Sequence, residues 1–325
     1  MKRGLALAAL AALAACAPRF VPPGEAVQPP ALTDGHFHAR DGARLPLRRW
    51  RPDGKPRAVV LALHGYTEYS AALDGPGAWL AGRGIAVYAY DQRGFGRAPH
   101  PGRWAGRRAY VRDAVAAAEA LAGRYPDTPL YVLGESMGAA VVLAAAPDLR
   151  GTAAGLVLVA PGVWGWSTLP WPHRVGLTLA AHSVPWLRLS GRGLDIRPSD
   201  NTAMLRALAA DPLVQKRVRV DTLYGTVNLM DAGFRAAKRL KPPALVLYGA
   251  GDAVIPPYAV KRLLDRMPDS RTRFAYYATG FHMLLRDLNR HRVLGDIAAW
   301  LGDRTGPLPS GAGDGARQRL AQAVE

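Results

Sequence analysis

The sequence predicts an α/β fold: a mostly parallel central sheet flanked by helices, with a helical cap inserted late in the chain. Three observations carry that prediction. Short apolar runs alternate with longer Ala-Leu-Arg segments of helical period, the rhythm of strands joined through crossover helices. The runs are apolar at nearly every position rather than at alternate ones, as strands covered on both faces must be. The rhythm breaks once, over residues 163–241, where no clear strand appears and Trp164, Trp166, Trp171 and Trp186 gather near the start.

In chain order the first segment is Lys2-Arg3, followed by a Leu, Ala and Gly run over 4–15 and then Cys16. The run is too short to span a bilayer. Its basic start, apolar middle and small-residue end fit an export signal over 1–15. Leu13-Ala14-Ala15-Cys16 resembles the lipobox of bacterial lipoproteins, which implies cleavage before Cys16 and a lipid on that residue. The expected place is the bacterial cell envelope, lipid-anchored to a membrane on its periplasmic side or at the outer membrane. Cys16 is the one cysteine of the chain, so no internal disulfide can form. Several acyl chains would anchor firmly, since each buried methylene contributes roughly 0.8 kcal/mol. Residues 16–35 are proline-rich and aperiodic and read as a stiff spacer.

The folded core is expected over 36–162 and 242–302. Its strands are placed at 57–63, 85–90, 130–133, 156–159, 244–248 and 274–277, and its helices at 110–124, 137–145, 258–266 and 291–301. The insertion at 163–241 carries helical patterns at 201–210 and 226–240 and is expected to cap the sheet. The tail, 303–325, starts rich in Gly, Pro and Ser and is expected to be disordered, with a short helical stretch near its end.

Composition narrows the function classes. Of 325 residues, 49% are hydrophobic, enough for a sizeable core. The formal charge of +17 would suit nucleic acid or an anionic membrane face. Arg greatly outnumbers Lys and is spread along the chain, and no zinc-ligand spacing, RNP-like segment or aromatic-basic interleaving is present, so nucleic acid is not an expected partner. Attraction to acidic lipid headgroups remains open.

The strongest local signal is Gly134-Glu135-Ser136-Met137-Gly138, a Gly-x-Ser-x-Gly pentapeptide between a strand and a helix, the context in which a serine sits in a sharp turn as nucleophile. A serine hydroxyl needs a base. Of the eight histidines, His282 lies on a loop at the end of a late strand and is the expected base; His64, His36, His38, His100, His173, His182 and His291 are less well placed. The orienting acid should end a strand between the serine and the histidine in chain order. Asp252 in Gly249-Ala250-Gly251-Asp252 does so, with Asp231 in reserve. A tetrahedral oxyanion needs two N–H donors, each typically contributing about 3 kcal/mol. The Met137 amide, just after the nucleophile, is one; the Tyr66 amide, in the loop His64-Gly65-Tyr66 after the first buried strand, is the expected second. No metal or organic cofactor is required by this chemistry.

Five motifs in this order, His64-Gly65-Tyr66, Tyr90-Asp91-Gln92-Arg93-Gly94-Phe95-Gly96, Gly134 to Gly138, Gly249 to Asp252 and Gly280-Phe281-His282, resemble the monoacylglycerol lipase and lysophospholipase group of the α/β-hydrolase fold. Asp211-Pro212-Leu213-Val214 is similar to a segment of that group's cap. The resemblance spans about Arg40 to Leu301. It implies a cap that receives an acyl chain and an acyl-ester lipid substrate carrying one fatty acid. Glu135 stands where the group more often has histidine, and Ala98 where it often has serine. Two alternatives stay open: an aminopeptidase-type serine peptidase of the same fold, which needs acid groups to hold a substrate amine, and a non-catalytic lipid-binding lipoprotein. Dehalogenase chemistry is disfavoured, because its nucleophile is an aspartate and position 136 is serine.

Overall fold

The computed structural model describes residues 17–191, 193 and 196–325; the expected export signal over 1–15 and Cys16 lie outside the described residues. In chain order the elements are β1 (Ala31–Thr33), β2 (His36–His38), β3 (Arg44–Trp50), β4 (Ala58–Leu63), α1 (Asp74–Ala81), β5 (Ile85–Tyr90), α2 (Arg107–Arg124), β6 (Leu130–Glu135), α3 (Met137–Ala145) and β7 (Gly155–Val159). The insertion follows with α4 (Trp171–Ser183), β8 (Arg188–Leu189), α5 (Thr202–Ala210), β9 (Val218–Arg219) and α6 (Val220–Ala236). The chain then returns to the core with β10 (Ala244–Gly249), α7 (Pro257–Leu264), β11 (Thr272–Tyr277), α8 (Arg290–Gly302) and α9 (Ala316–Gln322).

The central sheet has the order β1-β2-β3-β5-β4-β6-β7-β10-β11, and β8 and β9 form a separate small ladder. From β5 to β11 all neighbours are parallel, while β1 to β3 join antiparallel at one side. Every residue of β4, β5, β6, β7 and β10 is buried, which explains why these strands read as unbroken apolar runs. Their side chains still alternate between two cores. Val59, Leu61, Leu63, Val132 and Val246 meet α2, α3 and α7 on one face. Val60, Ala62, Leu133 and Leu247 meet α1 and α8 on the other. Burying each such side chain contributes roughly 1.5–3 kcal/mol.

The order reverses beside β4: β5 lies on one side of it and β6 on the other. Crossovers diverge there, leaving a crevice at the strand ends, and such a switch point is where open α/β sheets bind ligands. The loops leaving β4 and β6 are those that carry Tyr66 and Ser136.

The insertion is of two parts. α6 is wedged into the core, with Leu229 and Phe234 buried against α3; Gly233 permits the approach, since a Cβ there would lie 2.8 Å from the Ala140 carbonyl oxygen. By contrast α5 buries none of its residues and α4 only Ala181. Among the described residues no helix is long and apolar enough to cross a membrane.

Both ends depart from expectation. The stretch 17–30 lacks regular structure, as a spacer should, yet it lies along the domain: Val21 N–H donates to the Trp104 carbonyl (2.7 Å), Val27 N–H to the Arg40 carbonyl (2.7 Å) and Gly24 N–H to Asp41 Oδ2 (3.1 Å). The tail 303–325, expected to be disordered, is folded onto the edge strand β11. Leu308, Ala312, Ala316 and Leu320 are buried there, and Tyr276 N–H donates to the Ala312 carbonyl (2.9 Å). A few well-spaced apolar anchors, with Arg319 Nη2 on the same carbonyl (3.0 Å), are enough to order a segment that glycine and proline made look unstructured.

Candidate active site

The site is built at the end of β6. Ser136 follows the strand directly and opens α3 with φ 54° and ψ −114°, a left-handed conformation that costs of order 1–3 kcal/mol for a residue with a side chain. Three backbone hydrogen bonds hold it: Ser136 N–H donates to the Val159 carbonyl (2.9 Å), and Gly162 N–H (2.9 Å) and Ala140 N–H (3.2 Å) donate to the Ser136 carbonyl. The turn also needs glycine at 138, where a Cβ would stand 2.1 Å from the Leu63 carbonyl oxygen. The pentapeptide is therefore a packing solution as much as a chemical one: α3 must cross against β4 for the hydroxyl to emerge.

The Ser136 hydroxyl donates to His282 Nε2 at 2.9 Å, and His282 Nδ1 donates to Asp252 Oδ2 at 2.8 Å. An ionised carboxylate only accepts, so the proton of the imidazole sits on Nδ1 and the Nε2 lone pair faces the hydroxyl. Asp252 is itself fixed, its Oδ1 accepting from Val254 N–H (2.8 Å) and Ile255 N–H (2.9 Å). All three side chains are buried. Burial alone would lower the His282 pKa; the Asp252 carboxylate, with lesser help from Glu135 and Glu68, outweighs it and holds the imidazole above its ordinary range. An imidazole so arranged can take the hydroxyl proton and is paired as an imidazolium once it has done so.

The reserve acid, Asp231, is engaged elsewhere: it accepts from Ser167 N–H (2.7 Å) and pairs with Arg235 (2.6 Å). His64 supports the neighbouring loop. Its Nδ1 donates to the Gly65 carbonyl (2.8 Å), and its Nε2 accepts from Gln92 N–H (3.0 Å); burial lowers its pKa and keeps it neutral. Gln92 returns a bond from its side chain to the His64 carbonyl (2.9 Å). Its role had a signal in the sequence, the Tyr90 to Gly96 motif, but no mechanism until the two loops are seen together. The loop lies against the nucleophile, for a Cβ on Gly65 would stand 3.6 Å from Ser136 Cβ. Met137, as the first residue of α3, has no carbonyl one turn earlier for its N–H.

Ser136 and Asp252 open into a cavity of about 930 Å³ lined mainly by apolar side chains, among them Trp164, Leu177, Ile196, Leu223, Val227 and Met230. Of the four tryptophans near the start of the insertion, Trp164 lines this space and the other three do not. Trp166 turns to α6, donating from Nε1 to Asn228 Oδ1 (2.7 Å), and Trp171 and Trp186 face outward, 73% and 53% exposed. The lining from α6 had no local signal. Among the described residues no group of three or more His, Cys, Asp or Glu side chains is arranged to hold a metal ion.

A family model described as serine aminopeptidase, S33, matches residues 54–289. The chain is 26% identical to the monoglyceride lipase of Homo sapiens, over 83% of this chain and 90% of that protein. It is 27% identical to the monoacylglycerol lipase of Mycolicibacterium smegmatis, over 82% and 95%. The crystal structure of a soluble variant of monoglyceride lipase from Saccharomyces cerevisiae, in complex with a substrate analog, superposes with a TM-score of 0.70 at 20% identity, covering 88% of this chain and 99% of that one. The fold is that of the α/β-hydrolases.

Proposed function

The chain belongs to the serine aminopeptidase S33 family of α/β-hydrolases and is a carboxylic ester hydrolase, and we propose that its substrates are lipids bearing one fatty acyl chain, monoacylglycerols or lysophospholipids. The observation that carries this reading is the hydroxyl–imidazole–carboxylate relay, with its 2.9 and 2.8 Å contacts, at the floor of an apolar cavity.

In this reading Ser136 Oγ attacks the ester carbonyl carbon while His282 Nε2 takes its proton. The oxyanion is met by the Tyr66 and Met137 amides. Collapse breaks the carbon–oxygen bond to the alcohol, which leaves with the proton from Nε2. Water then attacks the acyl-enzyme, His282 accepting its proton and returning it to Ser136 as the fatty acid departs. An aminopeptidase reading needs a carboxylate free to hold the substrate amine; among the described residues Asp252 is the carboxylate that lines the cavity, and it is committed to His282 and to two backbone amides.

The substrate is taken from a membrane surface of acidic lipids. α4 is apolar on two sides. Pro172, Gly176 and Leu177 line the cavity, while Trp171, Val175 and Leu179, spaced one turn apart, point outward at 73%, 49% and 62% exposure. Such a helix suits an interface, and the excess of 42 Lys and Arg over 25 Asp and Glu favours anionic headgroups. The lipobox at Cys16 supports a tether to the same membrane; an unmodified Cys16 in the native mature N-terminus, read by mass spectrometry, would end that part.

One experiment tests the whole reading. Wild type and a Trp171→Ser/Leu179→Ser double variant are given a medium-chain monoacylglycerol in phosphatidylglycerol vesicles, soluble p-nitrophenyl butyrate and an aminoacyl-naphthylamide. Both esters are expected to turn over and the amide not. The double variant is expected to lose about tenfold or more in kcat/KM on vesicles, since each buried large side chain is worth about 1.5–3 kcal/mol, and nothing on the soluble ester. Preferred cleavage of the naphthylamide overturns the substrate class; equal loss on both esters overturns the docking face.

A further inference from the structure

Beside the reacting groups lies a cluster of charges that the steps above leave unused. Arg286, in the loop after His282, makes a bidentate pair with Glu68, Nη1 to Oε1 at 2.6 Å and Nη2 to Oε2 at 2.8 Å. The same Nη2 reaches Glu135 Oε2 at 3.3 Å. Glu68 belongs to the loop of Tyr66, and Glu135 is the residue before Ser136. One guanidinium thus joins the loops of the oxyanion donor, the nucleophile and the base. These contacts bridge 218 and 151 residues of chain.

Burying such a group is a poor route to stability. The side chains of Arg286, Glu68 and Glu135 are 10%, 6% and 2% exposed, and dehydrating charges costs more than their attraction returns unless every bond is made. Here not every bond is made: among the described residues Glu135 Oε1 and Arg286 Nε are buried without partners. Two carboxylates face one guanidinium, so the ionised cluster is negative. Burial, with Glu68 and Asp287, pushes the Glu135 carboxyl above its ordinary range, against the pull of Arg286 and His282. Glu135 stands directly before Ser136, whose hydroxyl meets His282 Nε2 at 2.9 Å. The cluster also touches the oxyanion loop directly, because a Cβ on Gly65 would lie 3.3 Å from Glu68 Oε2.

We propose that Arg286 and Glu135 are positioning residues for the hydrolysis: Arg286 holds the Tyr66 and His282 loops in register with Ser136, and the Glu135 carboxylate sustains the imidazolium that forms on His282. The inference rests on the ester-hydrolase reading of the site. It also gives Glu135, which departs from the histidine more common beside the nucleophile, a part in this chain's own chemistry.

The test is the pH dependence of kcat and KM on soluble p-nitrophenyl butyrate, with the full mature chain and the variants Glu135→Gln, Arg286→Lys, Arg286→Met and Ser136→Ala, each checked by thermal melt. A carboxylate near an imidazole raises its pKa, so Glu135→Gln is expected to move the acidic limb of kcat/KM to lower pH by about half a unit or more. Arg286→Met is expected to lower kcat about tenfold or more with KM within about twofold, the mark of lost alignment rather than lost binding. Arg286→Lys is expected to restore part of kcat. Should Arg286→Met fail to fold, Glu135→Gln and Arg286→Lys decide alone. A Glu135→Gln limb that coincides with wild type, or an Arg286 variant that changes KM and leaves kcat intact, overturns the proposal. Hydrolysis undiminished in Ser136→Ala would instead overturn the ester-hydrolase reading beneath it, so the two failures are distinct.

Discussion

Ser136→Ala is expected to lower kcat on a medium-chain monoacylglycerol by about 10⁵-fold or more, with KM little changed and the fold intact. The size follows from the role: without the hydroxyl no acyl-enzyme forms, and what remains is the modest help of the oxyanion donors and the bound geometry, about 10³–10⁴ over water. The fold should tolerate the change, because Ser136 is held by its backbone through Val159 and Gly162 and alanine keeps the Cβ in place. Steady-state kinetics with a melt of the same preparation checks it. Loss of less than about tenfold would mean that another group attacks the ester.

Asp252→Asn carries the next largest expectation, a fall in kcat of about 10⁴-fold. The asparagine would fill the same space and could still accept from Val254 and Ile255 through its oxygen, as Asp252 does now. Its NH₂ would then face His282 and drive the ring proton to Nε2, the wrong tautomer for taking a proton from Ser136. The charge matters separately. Burial lowers the His282 pKa and Asp252 is the chief group that raises it. Removing that charge moves the residual acidic limb to lower pH, because the base then needs less alkaline solution to be neutral. A pH–rate profile in which Asp252→Asn keeps the wild-type limb would assign the shift to other charges.

What could be read from the chain and what could not divide along physical lines. The parallel strands were legible because burial on both faces writes itself as unbroken apolar runs, and α3 was legible to its ends, Met137–Ala145, because small apolar residues follow a turn signal. β3 was missed: as an antiparallel strand it buries only Leu45 and Leu47, flanked by Arg44, Pro46 and Arg48, and the proline and arginines obscure the alternation. α4 was missed because it is apolar toward the cavity and apolar toward solvent, so no single stripe marks it. The meeting of Ser136, His282 and Asp252 was legible from the Gly-x-Ser-x-Gly turn and two strand-end loops, since strand ends gather at one edge of a parallel sheet. The partnership of Arg286 with Glu68 and Glu135 was not, because nothing near residue 286 announces a carboxylate 218 residues away.

The most direct measurement of the central claim is peptide mass spectrometry of the folded protein after reaction with a fluorophosphonate, which bonds to a serine only when a base activates it. One phosphonyl group on the peptide bearing Ser136, absent when the protein is unfolded beforehand, is the result predicted here. An unmodified Ser136 in folded protein, or modification at another residue while ester hydrolysis is abolished, would contradict it.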